Sequence, residues 1–263
     1  MSTAFDPGPA ARLIAEAQNA KTLLKEIPEG QRPKTLAEGY TVQDLVAAQC
    51  GQSGGVKDKL AGWKIGLGSA NAMKGANLTR PVFGRMFESR LFDSGDTVTV
   101  PASPAALIEI EIAFAIARDV APTENIANPL DVVSRGFIVS EIVFSRFADR
   151  KTVGLPSFTG DSVGFHALVV GHEINPAEIP NIVRTLVVQQ DGKEVCRAAT
   201  GDDSLDPVIM LGHLLAHARE RGLTLKKGDL VTTGSVSKPF EATSPASFSV
   251  RAEGVELDYA IKP

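Results

Sequence analysis

The sequence predicts an α+β protein, with a helical N-terminal segment over residues 1–56 and a strand-rich domain over residues 57–263. Three observations carry that expectation. Apolar residues recur at helical spacing near the N-terminus, Gly51-Gln52-Ser53-Gly54-Gly55 then interrupts the pattern, and residues 107–116 alternate with a period of two. With 263 residues, 43% hydrophobic and 22% charged, the chain buries enough surface to need no disulfide or structural metal. A net charge of −4 without a basic run leaves no footprint for nucleic acid. No basic leader is present and no run reaches the ~20 apolar residues of a membrane helix, so a cytoplasmic protein acting on small molecules is expected. Cys50 and Cys196 have no ligand spacing and read as buried thiols.

Taken in order, residues 9–25 place Ala10, Leu13, Ile14, Ala17, Ala20 and Leu24 on one stripe, with Pro9 in the first turn of a helix. Thr41 and Asp44 stand at capping-box spacing, which starts a second helix at Val42. Past the glycine-rich break, Ala61 to Ser69 reads as a short strand bounded by glycines. Its Lys64, between Trp63 and Ile65, either lies at the surface or faces a pocket that lowers its pKa. Residues 70–78 read as helix and residues 81–87 as strand, where Arg80 and Arg85 are candidates to bind an anionic substrate.

Runs rich in Val, Ile and Phe at 97–100, 107–117, 136–144 and 164–170 read as sheet. Residues 183–190 and 194–199 form a hairpin across Gln190-Asp191-Gly192-Lys193. A helix runs from Pro207 to Arg221 and stops at Gly222. His213 and His217 stand four apart on it, but no acid or cysteine completes a zinc set, and both read as solvated. The chain closes in strands at 229–235 and 247–261, where Thr233, Gly234 and Ser235 offer donors for a carboxylate.

The alternating run holds the chemistry. Ile108, Ile110, Ile112, Phe114 and Ile116 fall on one strand face, and Glu109, Glu111, Ala113 and Ala115 on the other. Such a strand can simply face solvent. Yet like charges on neighbouring positions repel and glutamate is disfavoured in strands, whereas a hard divalent cation would turn the repulsion into attraction. Glu141, alone inside the apolar run 136–144, also needs a partner, either Arg146 or the same metal.

The order of Trp63-Lys64-Ile65-Gly66 with Ser69, Glu109-x-Glu111, Glu141-Ile142-x-x-Ser145-Arg146 and Thr233-Gly234-Ser235 resembles the 2-keto-4-pentenoate hydratase and 4-oxalocrotonate decarboxylase family of the fumarylacetoacetate hydrolase superfamily. Gly39-Tyr40-x-x-Gln43 and Gly228-Asp229-Leu230-Val231 extend the likeness over most of the chain. The resemblance implies a mixed β-roll or barrel-like core with the N-terminal helices packed on it, and a homo-oligomer. It implies Mg²⁺ or Mn²⁺ held by Glu109, Glu111 and Glu141, with Lys64 serving proton transfer or substrate-carboxylate binding. By position it adds Ser69, Phe144, Asp161 and Ser162 to the substrate-binding set and Thr79 to the catalytic positions beside Lys64. Three positions depart from the family: Phe144 replaces an aspartate, Thr79 replaces a proposed catalytic acid, and Ser162 replaces an asparagine after Asp161.

The leading reading is a metal-dependent hydratase acting on a short 2-hydroxy-dienoic or 2-oxo-enoic acid of aromatic catabolism. Two rivals stand beside it. One is decarboxylation of a 2-oxo-enedioate, with Arg80 and Arg85 on the second carboxylate; the other is a non-catalytic 2-oxo-acid binder. Hydrolysis of a C–C bond ranks lowest among the enzymatic readings, since no histidine is placed to activate water.

Overall fold

In the computed structural model, residues 4–49 and 58–263 are described; the expected boundary near residue 56, the Gly51–Gly55 break and Cys50 lie outside them. Helix α1 (Gly8–Ala20) ends before the apolar stripe does, because Lys21 turns left-handed and returns its N–H to Ala17 and Gln18. Helix α2 (Leu36–Gln49) starts six residues before the expected site. The capping box is Thr35 and Glu38: Thr35 Oγ1 accepts from Glu38 N at 3.2 Å, and the Glu38 carboxylate accepts from Thr35 N at 3.0 Å. Thr41 lies within the helix and donates to Ala37 O. The longer glutamate at the third position spans back to the cap amide, which settles the choice.

The remaining elements are β1 (Leu60–Gly66), α3 (Ala70–Gly75), β2 (Val82–Phe87), β3 (Leu91–Asp93), β4 (Thr97–Thr99), β5 (Ala106–Ile116) and β6 (Val133–Val143). Then come α4 (Leu155–Gly160), β7 (Phe165–Ile174), α5 (Ile179–Thr185), β8 (Val187–Gln190), β9 (Lys193–Arg197) and α6 (Pro207–Glu220). The chain closes with β10 (Leu230–Ser235), β11 (Phe240–Ala242), β12 (Ala246–Ala252) and β13 (Val255–Lys262). Residues 183–185, expected in the hairpin, belong to α5; the turn itself is the expected Asp-Gly, with Asp191 and Gly192 both at positive φ.

Eight strands form one mixed sheet in the order β2-β1-β10-β5-β6-β7-β3, with β11 also on β5, and the sheet curls until β2 meets β7. A second sheet, β4-β13-β12-β8-β9, backs it. The two-residue period of β5 decides which way it faces. Ile108, Ile110, Ile112 and Phe114 point outward into one core that also holds Val250, Leu257 and Tyr259 of the second sheet and Leu211 and Leu214 of α6. The opposite face, carrying Glu109 and Glu111, lines the inside of the curl. Helices α1 and α2 share a separate core with Phe87, Phe147 and Val153, centred on Ile14, Val42 and Val46.

Two expectations fail on α6 and β9. His217 is not solvated: it is 1% exposed, stacked on Phe83 at 4.3 Å and tilted against Tyr40 at 4.6 Å. It belongs to an apolar stripe that widens because α2 and β2 both pack on this helix. His213 is half-buried. Cys196 is likewise half-buried, and burial pushes its thiol up to about 11. Among the described residues, no helix is long and apolar enough to cross a membrane.

Candidate metal centre

Strand register assembles the carboxylates. Glu109 pairs directly with Glu141 across β5 and β6, so both face the inside of the curl, and Glu111 follows two residues along. One carboxylate oxygen from each lies within 4.8 Å of the others, with Glu111 and Glu141 fully buried and Glu109 half-buried. Like charges this close resist ionisation. Burial first, then the neighbouring glutamates, holds Glu111 well above the ordinary carboxylate range. Burial likewise pushes Glu141 up to about 7, although Lys64 opposes it.

Lys64 completes the group. It is 2% exposed, and Nζ lies 2.9 Å from Glu141 Oε1 and donates to Val163 O at 3.3 Å. Burial pulls its pKa down, but Glu141, Glu109 and Glu111 together outweigh that and hold it above the ordinary value. The pocket therefore does not lower this lysine. It faces Glu141 because β1 pairs with β10 in a register that sets Lys64 beside Thr232, itself opposite Ala113 of β5. Glu141 thus has Lys64 as its partner, whereas Arg146 is committed to Asp161.

On β10 a register shift between Thr232 and Ser235 turns the Gly234 N–H onto Glu111 Oε2 at 2.8 Å. Gly234 has φ 86°, a conformation that glycine adopts without strain. The flanking hydroxyls are occupied, Thr233 Oγ1 donating to Ile112 O and Ser235 Oγ to Ser237 O. They hold the sheet rather than project donors at a ligand.

The other expected residues divide between site and scaffold. Arg85 pairs in register with Trp63, not Lys64, so it stands on the outer face, its guanidinium 3.5 Å over the Trp63 ring. Arg80 pairs with Glu220 at the end of α6. Neither arginine acts on Glu111 or Glu141. Phe144, just past the end of β6, packs into the main core cluster, edge-on to His166 at 5.7 Å. Asp161 is buried and accepts from Ser145 Oγ at 2.7 Å and from the Arg146 backbone and guanidinium. Ser69 caps α3 by accepting from Ala72 N, and Thr79 lies exposed between α3 and β2. Ser162 lies beside Gly84, which faces Lys64.

The sequence reading missed two groups. Thr232 is fully buried on the carboxylate face with Oγ1 unpartnered. Its signal was available, since alternation from the apolar Val231 places Thr232 on the face opposite the core. The Val163 carbonyl had no signal, because which backbone oxygen meets Lys64 depends on a loop conformation.

The donor set fits a hard divalent cation. All three carboxylates offer oxygen, Glu111 Oε1 and Glu141 Oε2 are buried without a protein partner, and the three acids outnumber the one ammonium beside them.

Comparison with known proteins agrees with this architecture. A 2-keto-4-pentenoate hydratase of Paraburkholderia phymatum is 26% identical over 255 residues, spanning 94% of this chain and 93% of the relative. The TodF product hydratase of Pseudomonas putida is 23% identical, spanning 94% and 91%. Among solved structures, the 4-oxalocrotonate decarboxylase of Pseudomonas putida G7, complexed with magnesium and adipate, superposes with a TM-score of 0.84 at 19% identity, covering 99% of both chains. The fumarylpyruvate hydrolase of Pseudomonas aeruginosa, in complex with Mn²⁺ and pyruvate, gives 0.55 at 15% identity, covering 78% of this chain and 89% of that one. Residues 60–257 match the family described as fumarylacetoacetate (FAA) hydrolase C-terminal, and the chain belongs to that family.

Proposed function

We propose that this chain is a metal-dependent hydratase, a carbon–oxygen lyase that adds water to a short 2-hydroxy-dienoic or 2-oxo-enoic acid such as 2-hydroxypenta-2,4-dienoate. The observation that carries it is the buried Glu109, Glu111 and Glu141 cluster with Lys64 against it. The hydratase relatives, similar along nine-tenths of their length, support the reaction class.

Mg²⁺ or Mn²⁺ at this site supplies a Lewis acid for the carboxylate and C2 oxygen of such a substrate. The chain's own residues do the rest. Gly234 N–H fixes the Glu111 carboxylate, leaving its other oxygen for the cation. Lys64, held protonated by three acids, is a donor or an anchor for substrate charge rather than a base. Leu168, Met86, Val139 and Ala113 continue the same face as an apolar wall that excludes water from the conjugated chain.

Charge favours a monocarboxylate. The cation acting on Glu111 and Glu141 is Lys64, and Arg80 and Arg85 are engaged on the outer face. Among the described residues, neither Arg80 nor Arg85 is placed to meet a second substrate carboxylate, which ranks hydration of a dienoate above decarboxylation of an enedioate.

The test follows dienoate absorbance and carbon dioxide release with 2-hydroxypenta-2,4-dienoate and 2-oxohex-3-enedioate, with Mg²⁺, Mn²⁺ or chelator. Metal-dependent loss of absorbance without gas is expected. Gas from the dicarboxylate would move the assignment to a decarboxylase, and tight binding without product to a binding protein. Lys64→Met is expected to lower kcat by roughly 10²–10⁴-fold, the usual worth of general acid–base assistance.

A further inference from the structure

Between α4 and β7 the chain passes through a strap whose backbone is unusual. Ser162, Val163 and Gly164 take φ values of 50°, 55° and 75° in succession. Glycine tolerates this region; a β-branched valine almost never enters it, and does so only where its surroundings over-determine it.

The surroundings do so here from both ends. Asp161 is held by Ser145 and Arg146, and Arg146 Nη2 also donates to the Asp161 carbonyl at 2.6 Å. Gly164 O accepts from Phe144 N at 2.9 Å. Underneath, the strap lies on two glycines that flank one lysine. A Cβ at Gly84 would lie 2.3 Å from Ser162 O, and one at Gly66 would lie 2.8 Å from Val163 Cγ1. Gly84 is the register partner of Lys64, and Gly66 is two residues along the same strand. The notch thus admits backbone beside Lys64, and Val163 O receives Nζ at 3.3 Å.

We propose that the Ser162–Gly164 strap is a positioning element for Lys64, its left-handed turn at Val163 carrying a carbonyl onto Nζ so that the ammonium is fixed at two points beside the carboxylates. A lysine has a long, flexible stem and three rotatable donors, so one contact with Glu141 leaves it free to swing. The second contact removes that freedom before substrate arrives. Glycine at 66 and 84 is required by this seating, and Val163 acts through Lys64 rather than on substrate. The inference rests on the reading that Lys64 serves the chemistry of the carboxylate site.

Gly66→Ala and the double variant Gly66→Ala with Val163→Ala test it in the full chain. The added methyl collides with Val163 Cγ1 alone, and trimming Val163 removes the collision. In Gly66→Ala, Mn²⁺ affinity by calorimetry is expected to stay unchanged, because all three ligands lie on β5 and β6. Its kcat is expected to fall roughly 100-fold, the cost of about 1 Å of misplacement, with KM little altered. Its crystal structure should show Nζ withdrawn from Val163 O, and the double variant should restore both position and kcat. An undisturbed Nζ with full kcat in Gly66→Ala, or a double variant that recovers neither, would overturn the proposal. Should Gly66→Ala not fold, Val163→Pro, whose ring forbids a positive φ and so removes the left-handed turn, reports instead, with kcat lost at unchanged Mn²⁺ affinity; retained kcat there also overturns it. If the wild type turns over no dienoate, the reaction reading fails, and Nζ positions in the crystal structures still decide the strap.

Discussion

Glu111 and Glu141 show how burial and repulsion become a measurable preference for a cation. Both are held above the ordinary carboxylate range, so near neutral pH the folded chain keeps protons that a cation must displace. Mn²⁺ binding should therefore release protons, and its affinity should fall as pH drops below about 7, where Glu141 titrates. Calorimetry in buffers of different ionisation enthalpy measures this directly; an apparent enthalpy independent of buffer would contradict it. The same strain gives opposite signs for binding and stability. Glu111→Gln should cost more than the roughly 10–100-fold in Mn²⁺ affinity typical of an outer-shell partner. In chelator above pH 7, however, it should melt higher than wild type, because a raised carboxyl pKa makes the folded state lose stability as pH rises. Thermal melts with and without Mn²⁺ should cross.

At the scale of elements, α6 is joined to α2 and β2 through one imidazole. His217 stacks on Phe83 and Tyr40 with both ring nitrogens unpartnered, and burial, with Arg221, Arg80 and Arg85 nearby, holds it down at about 3. The unfolded chain takes up a proton near pH 6.5, and the folded one does not until about pH 3. Stability from this group is therefore complete above 6.5 and lost as pH falls, up to about 5 kcal/mol at pH 3 by linkage. His217→Phe should flatten that acid limb in melts between pH 7 and 4, while changing neutral stability little. A limb equally steep in the variant would place the acid lability elsewhere, with His166, held at about 4 by burial, the next group to examine.

Across the whole molecule, the N-terminal helices are held to the sheet by a small number of charges beside their shared core. Asp44 on α2 accepts from Arg221 Nη2 at 2.6 Å and lies 3.7 Å from Arg85 Nη2, so one carboxylate serves two arginines from separate parts of the chain. All three groups are partly exposed, which discounts the pair well below a fully buried one. Asp44→Ala should cost about 1–2 kcal/mol, or roughly 2–8 °C in melting temperature for a chain of this size. Mn²⁺ affinity should not change, because this junction lies on the face opposite the carboxylates; a drop in affinity would show the two faces to be coupled.

Much of this was legible in the sequence because it depends on periodicity alone. Strict alternation in residues 107–116 assigned the isoleucines and glutamates to opposite faces, and the structure keeps them there. The Asp-Gly turn and the Gly222 helix stop followed from backbone preferences that need no tertiary context. Three kinds of fact were decided only by the fold. Partner choice was one: Glu141 found Lys64 through strand register, whereas its neighbour in sequence, Arg146, went to Asp161. Facing was the second, since Arg85 and Phe144 sit near site residues in sequence, yet the sheet's two-residue period turns Arg85 outward and Phe144, past the strand end, packs into the core. Loop conformation was the third. No pattern of residue types announces that Val163 will be left-handed, because that state is imposed by Arg146, Ser145 and the notch at Gly66 and Gly84 acting together. Short-range preferences fix elements and faces; register and long-range packing choose which side chains meet, and the chemistry of the site depends on the meeting.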